Sequence, residues 1–181
     1  MILMKKKNFG LQVLLGLSII LFGTSTDSDD VIYWSSDYKL TWDDFEGEPR
    51  FDYESISALT SSGIIHYKGC KDGEITFKVQ AYFEKDESWV KEEALTDYHL
   101  IHEQIHFDIT ELSARRLRRS LKKRKFKCGE EADFENFVNS FIDNWKTEQN
   151  AFDLMSRHSL DKEQQEEWFY KIAKELSLLE E

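Results

Sequence analysis

The spacing of hydrophobic and polar positions changes about halfway along the chain. Ile75, Phe77, Val79, Ala81 and Phe83 alternate with polar residues, the period of a half-buried strand. Ser61 to Lys68 precedes them, joined by the turn-rich Gly69-Cys70-Lys71-Asp72-Gly73, so the two runs predict a β-hairpin. Val31-Ile32-Tyr33-Trp34 and Lys39-Leu40-Thr41-Trp42 add two short β-prone runs upstream. His66 lies on the first hairpin strand, where a lone histidine is more often a surface or core residue than a ligand.

From about Lys91 to Arg124 there is no proline or glycine, and the period becomes helical. At 100° per residue, Ala94, Tyr98, Ile101, Ile105, Ile109 and Leu112 form one apolar stripe, which predicts a long helix packed against the sheet. Phe134, Phe137, Val138, Phe141, Trp145 and Phe152 mark a second helix. A third, edged by Trp168, Ile172, Leu176 and Leu179, follows Ser159 or Asp161, either of which could cap it. The expected class is α+β: a small N-terminal antiparallel sheet or hairpin packed against a C-terminal set of about three helices.

The first residues add an export reading. Lys5, Lys6 and Lys7 precede an apolar run from Leu11 to Phe22, and Gly23-Thr24-Ser25 supplies small residues suited to cleavage. Residues 1–25 are therefore expected to be a cleaved signal peptide and 26–181 a single domain, secreted or periplasmic, with no stable membrane insertion after cleavage. Losing the three lysines moves net charge from −11 to −14, which disfavours general nucleic-acid binding. Against that balance, Arg115 to Lys127 carries nine basic residues in thirteen. They read as a solvated helix end or as a docking patch for an acidic partner. Two cysteines, Cys70 and Cys128, suit a disulfide in an exported protein; two unrelated buried thiols are the competing reading.

The candidate chemistry lies in His99 to Ile109, "HLIHEQIHFDI", which holds three of the chain's five histidines. His102 and His106, at i and i+4, project side by side and can meet one metal ion. Two imidazoles suit zinc, and Glu103 beside the first ligand can act on water as general base. His99 shares the same side of the helix and reads as a substrate-side or supporting residue. Asp108 and Glu111 point away. The competing reading of the pentapeptide is a helix that carries surface histidines.

Four motifs extend the pattern: "LTWDDFEGEP" (40–49), "HEQIHFDITELSARRLR" (102–118), "FDLMSRHS" (152–159) and "QEEW" (165–168). In this order they resemble the bacterial family called domain of unknown function 922, labelled as secreted zinc-dependent proteases largely on the central motif. The resemblance implies a zincin-like fold, one zinc ion and a protein or peptide substrate. His158, which matches that family's late motif, is the expected third ligand beside His102 and His106; Glu148, on the helix before it, is the reserve, and Asp153 could orient a ligand histidine by accepting its other ring N–H. The family's late motif runs approximately Tyr-Asp-x-x-Thr-x-His-Gly, and here Phe152, Ser156 and Ser159 depart from it.

The leading expectation is thus an exported zinc hydrolase with Glu103 as catalytic base and His102, His106 and His158 on the metal. A zinc-stabilised binding module of the cell envelope, without turnover, is the alternative; Glu103 argues against it, because a structural site needs no carboxylate there. A binder of nucleic acid or an acidic partner through 115–127 is opposed by the net charge. Arg157, His99 and Tyr98 are candidates for stabilising an oxyanion. Substrate specificity and oligomeric state have no signal in the sequence.

Overall fold

The computed structural model describes residues 30–50 and 56–179, so the signal peptide read at 1–25 lies outside the described residues. Five strands come first: β1 (Val31–Tyr33), β2 (Ala58–Leu59), β3 (Ser62–Lys71), β4 (Glu74–Glu84) and β5 (Trp89–Val90). Three helices follow: α1 (Asp97–Arg124), α2 (Glu131–Ser156) and α3 (Lys162–Leu178). Strands in the N-terminal part packed against three helices make the class α+β, as the change of period predicts.

The hairpin β3–β4 pairs antiparallel from Ser62↔Phe83 to Lys71↔Glu74, with β1 on the far edge of β4. The turn needs Gly73, whose φ of 79° is left-handed. β2 and β5 pair separately. Lys39–Trp42, expected as a strand, is not one. Asp44 accepts from the Thr41 amide and hydroxyl and closes a 3-10 turn at Trp42–Asp44, while the Leu40 amide donates to Gln104 Oε1 on α1. Local side-chain hydrogen bonds and a buried anchor replace a strand ladder there.

Cys70 and Cys128 form a disulfide, which ties the end of β3 to the α1–α2 connection. Main-chain bonds from Ile75 to Phe126 and from Cys128 to Gly73 hold the same join.

α1 starts at Asp97, not near Lys91. Thr96 caps it by accepting the His99 amide, and a 3-10 turn at Glu92–Ala94 precedes it. The helix is buried on opposite sides. Phe107, Ala114, Leu117 and Leu121 join the sheet residues Ile75, Val79, Ala81 and Phe83 in one core. Ile105, Ile109 and Leu112 join Phe152, Trp168, Ile172 and Leu176 in another. The stripe expected to face the sheet therefore faces α2 and α3. A single-stripe reading assumes one wet face, and a helix sandwiched between two layers has none over its middle.

Candidate metal site

α1 delivers His102 and His106 to one point because residues four apart share a helix face. The last turns of α2 meet that face through Phe152 and Asp153. Phe152 is fully buried; it stacks against the His102 ring at 4.5 Å and meets the His106 ring edge-on at 4.9 Å. The phenyl ring is thus an apolar floor under both imidazoles, in the place where the family pattern has tyrosine.

Asp153 supplies the third polar atom. Its Oδ1 lies 3.3 Å from His102 Nε2 and 3.1 Å from His106 Nε2, and the two Nε2 atoms are 3.3 Å apart. Among the described residues, His102, His106 and Asp153 form a group whose ligand atoms all lie within 4.8 Å of one another. The third atom of this group is Asp153 Oδ1, and His158, expected as third ligand, is not part of the group. His158 stands beyond the end of α2, its side chain 49% exposed and its Nδ1 3.5 Å from Asp153 Oδ1. Glu148, the reserve, is turned away and ion-paired with Arg116 at 2.7 Å and Lys171 at 3.6 Å.

The chain reaches His158 through three successive left-handed residues, Arg157, His158 and Ser159, at φ of 53°, 52° and 66°. None is glycine, so the turn stores backbone strain beside the cluster. Glycine in the family pattern would sit at Ser159, where the left-handed backbone is found.

Burial pulls the His106 imidazole down, but hydrogen bonding and charge from Asp153, with Glu103 and Gln149 adding to them, outweigh it and hold the ring up to about 9. Burial pushes the Asp153 carboxyl up, and bonds and charge from both histidines override that and hold it well below the usual carboxylate range. Without a metal, the cluster therefore keeps a proton among its three acceptors.

Glu103 is buried one residue from the first histidine, and its Oε2 accepts the Thr60 hydroxyl at 2.7 Å. It opens into a cleft of about 520 Å³ together with His102, His106, Asp153, His99 and His158. The opposite wall is the stretch 56–62, which includes β2. His99 Nδ1 lies 2.8 Å from the Thr96 hydroxyl. Burial, then the neighbouring His102, push the His99 imidazole below its ordinary value, with Glu103 acting the other way.

Several residues here carried no sequence signal for the role they take. The late motif suggests Asp153 only as a residue that orients a histidine, yet it meets the Nε2 atoms themselves. Thr60 comes from the strand half, and Gln149 and Gln165 from α2 and α3, approach the rings from behind. Only "QEEW" hinted at Gln165. Asp108 points away from the cluster, as expected, and accepts from Trp34 Nε1 at 2.7 Å and Gln104 Nε2 at 2.9 Å. Glu111 is buried in an ion-pair cluster with Arg115 and Arg118.

Residues 75–159 match the family model described as "Bacterial protein of unknown function (DUF922)". The matched stretch holds both histidines, Glu103 and Asp153 but not Thr60 or Gln165. Neither the curated proteins nor the solved structures provide a match to the chain.

Proposed function

From the match of residues 75–159 to DUF922 and the chemistry of the cleft, we propose that the protein is an exported zinc-dependent hydrolase, a peptidase in its natural reaction. One observation carries the reading. Two imidazole Nε2 atoms and a carboxylate oxygen converge to within 3.1–3.3 Å of one another beside a buried glutamate at an open cleft. Two nitrogens and one carboxylate oxygen fit zinc as a three-ligand catalytic set, with room left for water or substrate. The negative charges of Asp153 and Glu103 together match a divalent cation.

Zinc bound to this set would polarise a scissile carbonyl and bring the pKa of water to roughly 7. The chain's own residues do the rest. Glu103 takes the proton from the attacking water and returns it to the leaving amine. Thr60 holds Glu103 Oε2, which leaves the other oxygen for that transfer. The extended wall at 56–62 offers main-chain groups along the cleft, which suits an extended polypeptide. His99 lines the same space and can face the substrate. The Cys70–Cys128 disulfide supports a secreted or periplasmic location. No helix among the described residues is long and apolar enough to cross a membrane.

A second reading rests on His158. Rotated toward the cluster, it would supply a fourth protein ligand and close the site, as in a structural zinc centre. Metal analysis and peptide-library turnover of purified protein, with Glu103→Gln beside it, separate the readings. The hydrolase should carry about one zinc per chain in both forms. Glu103→Gln should lower turnover by about 10²–10⁴-fold. Equal turnover in the two forms would sink the mechanism. Iron in place of zinc would move the site to the other chemistry of two histidines and one carboxylate.

A further inference from the structure

We infer that Gln149 and Gln165 are paired positioning residues that lock His102 and His106 in one tautomer, with both Nε2 lone pairs aimed at a cation. The inference rests on the metal reading above and goes beyond it, because it assigns what makes the cluster a cation site before any ion arrives.

The argument starts from the two side-chain amides. Gln149 Nε2 lies 2.9 Å from the His106 carbonyl oxygen and 3.0 Å from Thr110 Oγ1. A carbonyl oxygen can only accept, so the NH₂ end must face it. Thr110 is held in an accepting role as well, since Trp145 Nε1, which can only donate, lies 3.0 Å from its Oγ1. Gln149 Oε1 is thereby left facing His106 Nδ1 at 2.6 Å. The same logic holds on the other side. Gln165, 2% exposed, donates from Nε2 to the Tyr98 carbonyl at 3.1 Å, so its Oε1 faces His102 Nδ1 at 3.1 Å.

An amide oxygen opposite each Nδ1 obliges that nitrogen to carry the hydrogen. Neutral His102 and His106 then both present lone pairs at Nε2, toward Asp153 Oδ1. With both rings neutral, these three acceptors have no donor between them and repel one another, a repulsion relieved by a shared proton or by a metal cation that replaces it. Each glutamine comes from a different helix, so α2 and α3 both set the electronic state of α1's histidines. Amides, unlike carboxylates, add no charge, so Asp153 remains the one anionic ligand.

The test compares Gln149→Leu, Gln165→Leu and Gln149→Glu with the unaltered protein, with zinc affinity read by competition against a chromophoric chelator. Each leucine variant should lose about 10–100-fold in affinity. Gln149→Glu, which keeps an acceptor opposite Nδ1 but sets its other oxygen against the His106 carbonyl, should recover part of that loss; a packing role alone would give no such rescue. Leucine variants within two-fold of the unaltered protein would overturn the inference. Nitrogen-15 spectra of the histidines supply a readout independent of any variant's folding. In the zinc-loaded protein, both rings should carry hydrogen on Nδ1. Metal-free protein at high pH, where both rings are neutral, should give the same tautomer. Hydrogen on Nε2 there would overturn the inference whether or not zinc binds, while Nδ1–H in a protein that takes up no zinc would count against the metal reading alone.

Discussion

The two halves of α1 bury polar groups in opposite ways. In the downstream half, Glu111 accepts from Arg115 Nε at 2.8 Å and Arg118 Nη2 at 2.7 Å. Arg118 also donates to the Val79 carbonyl, and Arg115 to that of Leu176. Arg116 pairs with Glu148 and Glu175. Each of these carboxylates faces a fixed cation, so the cluster is complete as it stands and ties the helix to β4 and α3. Three of the nine basic residues in 115–127 are spent on it. In the upstream half, two histidines and Asp153 bring acceptors together without a fixed cation. Burial compensated by fixed charges marks scaffold, and burial held only by an exchangeable proton marks a candidate site for a cation.

The largest effects should come from removing ligand atoms. Asp153→Ala takes away the one anionic ligand and should lower zinc affinity by more than the 10–100-fold typical of a supporting residue. His158→Ala should cost less than about 10-fold, because that side chain stands behind Asp153. Chelator competition on both variants orders them; the reverse order would assign the third position to His158.

Glu111→Leu addresses the other half. It removes the buried carboxylate that Arg115 and Arg118 share and should destabilise the fold by about 3–5 kcal/mol in denaturant titration. Zinc affinity of the folded fraction should stay unchanged. A loss of zinc there would mean that the two halves are one coupled network.

The halves should also separate by pH. His106 is raised to about 9, so in metal-free protein its stabilising contribution is full below its unfolded value of about 6.5. It is lost as pH rises through about 9. Asp153 is depressed, so its contribution is present above the ordinary carboxylate value of about 4 and is lost as pH falls through its own lower one. Metal-free stability should therefore be greatest between about 4 and 6.5 and decline toward 9 by a few kcal/mol. Zinc must displace the His106 proton, so its affinity should climb over the same range. Thermal melts with and without zinc across pH 6 to 10 would show the two trends diverging. Parallel curves would remove the proton from the cluster.

The smallest effect concerns the turn behind the site. Ser159→Gly relieves one left-handed residue and should raise stability by about 0.5–1 kcal/mol in denaturant melts. Zinc affinity should hold if His158 is no ligand, and shift if that turn sets a ligand's position.

Local pattern was enough for much of this. Period-two alternation ending at Phe83, the turn at Gly73, the long uninterrupted run to Arg124 and the aromatic spacing from Phe134 each predicted its element, because strand and helix periods are written in neighbouring residues. His102 and His106 could be paired from sequence for the same reason: four residues on a helix is a fixed distance. Asp161, one of two caps considered, is the one used, accepting the Gln164 amide at 3.1 Å. The remainder depended on how the helices pack. The stripe of Ile105, Ile109 and Leu112 carries no label for sheet or helix, and both are apolar surfaces. The late motif contains Asp153 and His158 five residues apart. Only the left-handed turn after α2 decides that the aspartate reaches the histidines first. Gln149 and Gln165 are ordinary helix residues by spacing, and their orientation depends on carbonyls of α1 that no linear pattern brings near them. Sequence by itself determined which groups could bind a metal; the packing of α2 and α3 against α1 decided which lone pairs meet.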